Sequence, residues 1–276
     1  MLTPRWLPAT YLGVCGWPVR HSRSPQMQNA ALKATGRDDW RYLRLPLPPA
    51  LFSDVVQSLA TRGFRGVNVT IPHKEQALAV ASSASPMARA IGAANTLTFG
   101  PDGEIHADNT DAPGLVSSLP SGFEPAGKTA LVLGAGGAAR AAIYALAQAG
   151  GEVLVWNRTP ERARELASEL GATAVHGQKR ADIVVNCTSV GLYGDPDSFK
   201  ALPLSADYVG AGSCVVDMVY RDGGTPLLQA ARAWGAETVD GLEILVAQGA
   251  ESFQRWTGEP APRPVMRAAL EMSDSQ

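Results

Sequence analysis

A short glycine-rich run has the spacing that proteins use to bind phosphate groups. Gly134, Gly136 and Ala139 form a G-x-G-x-x-A pattern, which follows the apolar residues 130–133 and precedes a helix-like run over 138–149. The first glycine permits a tight turn, the second lets the backbone approach a pyrophosphate, and the small third residue lets the helix pack closely on the strand. Free N–H groups at the start of the helix attract phosphate. The pattern predicts a dinucleotide site, and the flanking strand and helix disfavour the alternative of a glycine-rich turn that binds nothing.

The residues after the next predicted strand indicate which dinucleotide binds. Sites for NAD usually end this strand with Asp or Glu, which binds the 2′-hydroxyl of the ribose. This chain has Asn157, Arg158 and Thr159 there, with Arg162 one turn later. Two guanidinium groups and a hydroxyl suit a 2′-phosphate, because Arg binds phosphate through paired hydrogen bonds. The segment favours NADP over NAD. The alternative is that Arg162 is a solvated helix residue beside neighbouring glutamates.

Four polar segments in the first part of the chain lie where predicted strands end or begin. They are residues 21–25, 68–74, 92–96 and 108–111. Ligands of open α/β sheets bind at the carboxyl ends of the strands, so these segments are candidates for a substrate site. Their Ser, Thr, Asn and Asp side chains supply both hydrogen-bond donors and acceptors. Spacing along the chain does not by itself bring the four segments together.

Nine motifs, taken together, resemble the shikimate dehydrogenase family. They span residues 21 to 248 in the family's order: HSRSP, NVTIPHK, IGAANT, DNTD, GAGGAAR, NRTPER, NCTSVG, DMVY and DGLEILVAQ. The resemblance implies a reversible, NADPH-linked reduction of 3-dehydroshikimate to shikimate, a step of chorismate and aromatic amino acid biosynthesis. Ala94, Cys187 and Ile244 replace residues frequent in the family, but all three are apolar exchanges of the kind that cores tolerate.

The resemblance also implies roles for individual residues. Lys74 and Asp111 would be the catalytic pair, with Lys74 donating and accepting the proton. The side chains that would bind the substrate, the two serines at its carboxylate and the others around its ring, are Ser22, Ser24, Thr70, Lys74, Asn95, Asp111, Tyr220 and Gln248. The residues that would hold NADP are Gly134, Ala135, Gly136, Gly137, Ala138, Asn157, Arg158, Thr159 and Arg162. Those that would line its nicotinamide are Thr188, Met218 and Gly241.

The chemistry of a ketone reduction fits this catalytic pair. Hydride addition builds negative charge on the ketone oxygen, and an ammonium group placed there stabilises that charge and delivers the proton. The chain has 19 Arg but five Lys, and a lysine releases its proton more readily than an arginine. The alternatives are an exposed Lys74 in the first turn of a helix and an Asp111 that only caps the next helix. We interpret His73 and His106 as structural residues, and His21 as a residue that orients the serine segment.

Alternating apolar runs and helix-like stretches must position these residues. Strands are predicted at 11–16, 40–45, 66–70, 128–133 and 152–156, with a hairpin at 95–99 and 104–108. Residues 118–128 are rich in Gly, Pro and Ser, which indicates a boundary between two domains. We expect the helices predicted at 241–256 and 263–272 to pack on the first of these domains. We therefore expect an α/β protein with a cleft between two domains. A substrate domain with a mostly parallel sheet would comprise 1–118 plus 240–276, and a Rossmann-type NADP domain would comprise 119–239.

Composition argues against several other classes of protein. The formal net charge of −2 over 276 residues gives no reason to expect nucleic acid or an anionic membrane as a partner. The cysteines, Cys15, Cys187 and Cys214, are far apart in apolar runs, so we expect reduced thiols and no metal site. We expect no targeting peptide and no membrane span. These features predict a cytoplasmic enzyme that acts on a small molecule as a monomer or homodimer.

Two other functions stay open from the residues alone. A quinate/shikimate dehydrogenase that uses NAD would share the substrate segments, but the basic residues 157–162 argue against it. A non-catalytic NADP-binding sensor would share the dinucleotide site, but it would have no need of the Lys74 and Asp111 pair.

Overall fold

The structure is a computed structural model that describes residues 10–192, 197–221 and 223–271. The chain divides into two compact units. The first contains the described residues up to Thr110 and those from Gly249 onward, and the second contains the described residues between Asp111 and Gln248.

The first unit is an α/β layer structure. Its strands are β1 (Thr10–Gly16), β2 (Trp40–Pro46), β3 (Phe64–Val69), β4 (Ser83–Ala84), β5 (Thr96–Phe99) and β6 (Ile105–Asp108). Its first helices are α1 (Ser24–Ala34), α2 (Phe52–Ala60), α3 (Lys74–Val80) and α4 (Pro86–Ile91). A 3₁₀ turn, Pro49–Leu51, precedes α2. The apolar residues Phe52, Val56 and Ala60 recur every four positions and are all buried, which is the stripe expected of a helix that covers a sheet.

The sheet of the first unit has the strand order β2-β1-β3-β5-β6-β4. β1 pairs in parallel with β2 and β3, and β4 pairs in parallel with β6. β5 pairs antiparallel with both β3 and β6, so among the described strands of this sheet it alone runs in the opposite direction. The predicted hairpin and the mostly parallel sheet are therefore confirmed. All the other strands end at the same edge of the sheet.

The second unit is a parallel sheet with helices. Its elements are α5 (Asp111–Ser117), β7 (Thr129–Leu133), α6 (Gly137–Gln148), β8 (Glu152–Trp156), α7 (Pro160–Leu170), β9 (Thr173–Ala174), β10 (Ile183–Asn186), β11 (Cys214–Asp217), α8 (Pro226–Ala233) and β12 (Glu237–Val239). The strand order is β12-β11-β10-β7-β8-β9, and every pairing is parallel. β7 lies in the middle of this sheet, and its residues 130–133 are wholly buried, which explains the unbroken apolar run. The arrangement is the predicted Rossmann-type fold.

The C-terminal helices are α9 (Gly241–Thr257) and α10 (Arg263–Glu271). α10 packs against α1, and the Trp256 indole Nε1 donates a hydrogen bond to Leu97 O at 3.1 Å. The described residues from Gly249 onward therefore lie in the same compact unit as β1 to β6.

The boundaries between the compact units differ from the predicted domain boundaries. α5 belongs to the second unit because it packs against α6, whereas the sequence analysis assigned it to the first domain. The first half of α9 also belongs to the second unit, because Gly241 lies tightly against the backbone of Val219. The compact units are defined by contacts within the structure. The predicted domain boundaries at 118 and 240 therefore stay predictions.

Candidate active site

Backbone hydrogen bonds bring the polar segments of the first unit to one edge of its sheet. Thr70 N donates to Cys15 O at 2.8 Å, which joins the end of β3 to the end of β1. Ala94 N donates to Lys74 O at 2.8 Å, and Asn95 N donates to Asp108 O at 3.1 Å. Lys74 at the start of α3, Asn95 just before β5 and Asp108 at the end of β6 are therefore neighbours. The tertiary structure supplies the convergence that spacing along the chain left open.

Ser22 and Ser24 lie at the start of α1, just after β1. Ser24 is the first residue of the helix and is buried, and its N–H donates to Ser22 Oγ at 3.3 Å. The backbone carbonyl of Ser22 accepts a hydrogen bond from Arg44 Nε at 3.0 Å. Two hydroxyls beside the positive end of a helix dipole form an environment suited to a carboxylate.

Lys74 begins α3, directly after a turn in which His73 N donates to Thr70 O at 3.0 Å. His73 is wholly buried: its ring Nε2 lies 2.8 Å from Leu47 O, and the ring stacks on Phe52 with centroids 4.5 Å apart. These contacts make His73 an anchor for the turn, as interpreted from the sequence. Because His73 is fixed in the core, the adjacent Lys74 is held half-buried at the sheet edge beside Thr70.

Asn95 is buried, and its side-chain amide forms hydrogen bonds within the protein. It is 2% exposed, and its Oδ1 accepts a hydrogen bond from Thr110 N at 2.7 Å. Its Nδ2 donates to Thr110 Oγ1 at 2.9 Å. Asn95 therefore fixes the residue that precedes Asp111, and its contact with substrate stays a prediction.

A network of buried polar side chains lies beneath this edge. Its central member, Ser252, is not among the site residues predicted from the sequence. Asn68 Nδ2 donates to Ser252 Oγ at 2.8 Å, and Tyr42 OH donates to Asn68 Oδ1 at 2.8 Å. The Ser252 hydroxyl also lies 2.9 Å from Thr96 Oγ1 and 3.1 Å from Thr110 Oγ1. One signal could have identified Ser252: it lies one helical turn beyond Gln248 in a mostly apolar helix.

Three of the predicted substrate residues belong to the second unit. Asp111 is the first residue of α5 and Gln248 lies in α9; both are buried. The two helices pack closely, because a Cβ added to Gly114 of α5 would lie 2.9 Å from Gln248 Cβ. Tyr220 is half-buried in the segment after β11. The structure therefore brings Asp111 and Gln248 onto adjoining helices.

The glycine-rich run connects β7 to α6, as predicted. Gly134 has φ +114°, a conformation that strains any residue with a side chain, and its N–H donates to Trp156 O at 2.8 Å. Gly136 precedes α6 and Gly137 begins it, so Gly137 and Ala138 place their backbone N–H groups in the first turn. A Cβ added to Gly136 would meet no atom within 4 Å. This open space beside Ala135 and a helix start is what a pyrophosphate requires.

The predicted 2′-phosphate residues follow β8. Asn157 Nδ2 donates to Thr159 O at 3.0 Å, which shapes the turn into α7. Arg158 and Arg162 are exposed, and Glu161 forms its ion pair with Arg164 at 3.3 Å. The guanidinium groups of Arg158 and Arg162 therefore lie at the surface beside the end of β8.

The predicted nicotinamide residues follow β10 and β11 or begin α9. Thr188 comes two residues after β10, Met218 comes one residue after β11, and Gly241 begins α9. A Cβ added to Gly241 would lie 2.6 Å from Val219 O, so a side chain there would push the helix away from β11.

Two acidic residues at these sheet edges differ in their electrostatics. Burial alone would raise the pKa of Asp108, but the ion pair with Arg255 and a hydrogen bond from Ser85 hold that pKa below its ordinary value. Burial raises the pKa of Asp217 to about 6, with the charge of Asp240 adding to the shift and three hydrogen bonds opposing it.

Burial also raises the pKa of Cys15 and of Cys214 to about 12, which keeps both as thiols at neutral pH.

Residues 10–192, 197–221 and 223–271 contain neither a candidate metal site nor a candidate membrane span. No group of His, Cys, Asp and Glu among them could hold a metal ion. No helix in the described part of the chain is long and apolar enough to cross a membrane.

Three protein-family descriptions match successive parts of the chain. The shikimate dehydrogenase substrate binding domain matches residues 14–97. Shikimate / quinate 5-dehydrogenase matches residues 120–191, and the shikimate 5′-dehydrogenase C-terminal domain matches residues 241–271.

Two similar proteins carry the name shikimate dehydrogenase, and a third is named for a different activity. A shikimate dehydrogenase (NADP(+)) of Methylobacterium radiotolerans is 46% identical over 266 residues, which cover 91% of this chain and 92% of the relative. The structure of a Thermus thermophilus shikimate 5-dehydrogenase in complex with NADP(H) and shikimate is 41% identical, with a TM-score of 0.86, and covers 96% of this chain and 99% of its own. Ligand-free 5-ketofructose reductase of Gluconobacter is 31% identical, with a TM-score of 0.84, 96% coverage of this chain and 99% of its own. This chain therefore belongs to the shikimate dehydrogenase family.

Proposed function

We propose that this chain catalyses the reversible, NADP-linked reduction of 3-dehydroshikimate to shikimate, a step of chorismate and aromatic amino acid biosynthesis. The observation that carries the proposal is the convergence of the serine, lysine and asparagine segments at one sheet edge of the first unit. Relatives named for the same activity, at 46% identity over most of the chain, support it.

Lys74 and Asp111 are proposed as the catalytic pair. When bound, NADPH supplies the hydride that reduces the ketone carbon of the substrate. The Lys74 ammonium, held at the start of α3, would stabilise the charge on the substrate oxygen and give it a proton; in the reverse direction the amine would take that proton back. Asp111, a buried carboxylate at the start of α5, would accept a hydrogen bond from the substrate hydroxyl.

The polar residues around the sheet edge suit a small hydroxylated acid. Ser22 and Ser24 would bind the carboxylate, where the start of α1 adds a favourable dipole. The side chains proposed for the ring hydroxyls are Thr70, Asn95, Asp111 and Gln248, with Tyr220 nearby. Thr70, Asn95 and Gln248 can both donate and accept, and the Asp111 carboxylate accepts, so together they suit hydroxyl groups, which also donate and accept.

The proposed cofactor contacts come from the second unit. Residues 134–138 would hold the pyrophosphate, and Thr188, Met218 and Gly241 would line the nicotinamide. Asn157, Arg158, Thr159 and Arg162 would hold the 2′-phosphate, because exposed guanidinium groups bind phosphate through charge-assisted hydrogen bonds. This set favours NADP over NAD. A cytoplasmic location and a monomeric or homodimeric state stay predictions.

One assay tests the proposal against its alternatives. We expect the purified chain to oxidise NADPH when 3-dehydroshikimate is the added ketone, and to do so much more slowly with NADH. Faster turnover with NADH and activity on quinate in the reverse direction would favour the quinate/shikimate enzyme. Faster reduction of 5-ketofructose than of 3-dehydroshikimate would contradict the proposed substrate. Tight NADPH binding without turnover of any ketone would favour the sensor.

A further inference from the structure

A chain of buried hydrogen bonds joins the ends of β11 and β10 to Thr188. Asp217 and Asn186 close these strands, and both are wholly buried. Asn186 Nδ2 donates to Asp217 Oδ1 at 2.9 Å. Asn186 Oδ1 accepts from both the N–H and the hydroxyl of Thr188, at 3.1 and 2.7 Å. A wholly buried carboxylate is thus linked to Thr188 through the side chain of Asn186.

Asp217 is the charged acceptor at the end of this chain, and it acts together with backbone groups to orient Asn186. Asp217 Oδ1 also accepts from Val219 N at 3.0 Å, and its Oδ2 accepts from Thr225 Oγ1 at 2.6 Å. An ionised carboxylate can only accept, so Asn186 turns its amide nitrogen toward Asp217 and toward Val190 O, 3.3 Å away, and its carbonyl toward Thr188. The Thr188 hydroxyl therefore donates its only hydrogen bond to Asn186 Oδ1.

The Thr188 hydroxyl is consequently an acceptor toward any ligand. It accepts one hydrogen bond from Val190 N at 3.1 Å, and a hydroxyl oxygen has two lone pairs. Among the hydrogen bonds of the described residues, this leaves one lone pair for a donor from outside the network.

The strand order places Thr188 beside one end of a bound dinucleotide. Dinucleotides lie across the switch point of the sheet, which here falls between β7 and β10. Arg158 follows β8, so the adenosine end with its 2′-phosphate would lie on that side, and the nicotinamide end over β10 and β11. The Thr188 methyl group lies 3.4 Å from the position of a Cβ added to Gly134, at the phosphate loop itself.

We propose that Asp217 is a positioning residue for the nicotinamide end of the cofactor, because through Asn186 it holds the Thr188 hydroxyl as the acceptor for the carboxamide NH₂ group. The inference rests on the proposed NADP-linked function. A carboxamide NH₂ in an enclosed site needs an acceptor, and an unpaired donor there would weaken binding.

The test uses three ligands with graded nicotinamide chemistry: NADP⁺, its 3-acetylpyridine analogue, and 2′-phospho-ADP-ribose. The acetylpyridine analogue has a methyl group in place of the NH₂ group and cannot donate, and 2′-phospho-ADP-ribose has no nicotinamide. We expect the wild type to bind NADP⁺ about 3- to 10-fold more tightly than the acetylpyridine analogue, the contribution of one hydrogen bond. Asp217→Ala should lose this preference while its Kd for 2′-phospho-ADP-ribose stays unchanged.

Conservative variants separate positioning from a general loss of structure. Asp217→Asn should keep most of the preference, because its amide oxygen can accept from Asn186 while its NH₂ group faces the rotatable Thr225 hydroxyl. Thr188→Val should lose the preference and Thr188→Ser should keep it, so the test survives if Asp217→Ala does not fold. Asp182→Asn is the matched control, because Asp182 accepts from Thr129 N at 2.9 Å at the opposite end of the same sheet.

The outcomes are distinguishable. If either Asp217→Ala or Thr188→Val folds and keeps the wild-type preference, or weakens the binding of all three ligands equally, the inference is overturned while the proposed function stands. A wild type that fails to bind NADP⁺ and to reduce 3-dehydroshikimate overturns both.

Discussion

The two units support their functional residues with buried polar networks of different character. In the first unit, Asn68, Thr96, Thr110 and Ser252 are all neutral, and their hydroxyl groups can exchange the roles of donor and acceptor. In the second unit, the network ends on the carboxylate of Asp217, which can only accept when ionised. The first network fixes positions and tolerates rearrangement of its protons. The second fixes both position and hydrogen-bond polarity, and it carries the cost of a buried charge.

The largest expected effect is a loss of kcat that leaves cofactor binding intact. It would show that proton transfer depends on the first unit and cofactor binding on the second. Lys74→Met should lower kcat by about 10²-fold or more, because no ammonium group then protonates the substrate oxygen. The Kd for NADP⁺ should stay unchanged, since that site belongs to the other unit. Steady-state kinetics and fluorescence titration measure the two quantities, with Lys33→Met, a lysine in the last turn of α1, as the control. A Lys74→Met variant with most of its kcat would remove Lys74 from the mechanism.

The second prediction tests the charge that distinguishes the two networks. Asp217 has a raised pKa of about 6 in the folded protein, against 3.8 as its ordinary value. Between these values the folded state keeps a proton that the unfolded state has lost. The free energy of unfolding therefore falls as pH rises through this window, and the loss is complete above the folded pKa.

The asparagine side chain of Asp217→Asn does not ionise in this range. The free energy of unfolding of the variant should therefore rise relative to that of the wild type as pH rises from 4 to 7. The expected gain is up to about 3 kcal/mol, the equivalent of the pKa difference. Urea unfolding of both proteins at several pH values measures it, and Asp182→Asn should show no comparable gain. A pH-independent difference between Asp217→Asn and the wild type would mean that burial does not penalise this carboxylate.

A third prediction tests the cofactor assignment of the second unit. Replacing Arg158 and Arg162 with Ala should raise KM for NADPH by about 10-fold, through the loss of charge-assisted hydrogen bonds to the 2′-phosphate. KM for NADH and KM for shikimate should barely change. Arg164→Ala serves as the control, because Arg164 lies on the same helix and pairs with Glu161. Equal effects on NADPH and NADH would contradict the 2′-phosphate contact.

The smallest expected effect tests the tolerance of the neutral network. Ser252→Ala removes one hydroxyl, but Asn68 Nδ2 keeps acceptors at Asn95 O and Thr96 Oγ1, 3.2 and 3.1 Å away. The free energy of unfolding should fall by about 1 kcal/mol, with no dependence on pH between 4 and 7. Urea unfolding at the two pH values measures this. A loss several times larger would show that the neutral network is as demanding as the one around Asp217.

Much of the fold follows from patterns that are local in the sequence. β8 covers the predicted residues 152–156, and α6 begins one residue before its predicted start, because apolar runs, helix periodicity and turn residues act over short distances. The G-x-G-x-x-A spacing likewise predicts a tight turn, and Gly134 adopts the positive φ that such a turn needs. These features are properties of neighbouring residues, so the chain specifies them without reference to the rest of the molecule.

Other features depend on contacts between distant parts of the chain. Ser252 meets Asn68 across 184 positions, and no periodicity in either segment indicates the partner. Asn95 has its amide committed to Thr110, and α5 groups with the second unit because it packs against α6. The link from Asp217 to Thr188 exists because β10 and β11 are adjacent in the sheet. The sequence alone determined which residues can do chemistry. Only the tertiary structure decided which of them are held by buried partners, because those partners come together through strand pairing and helix packing.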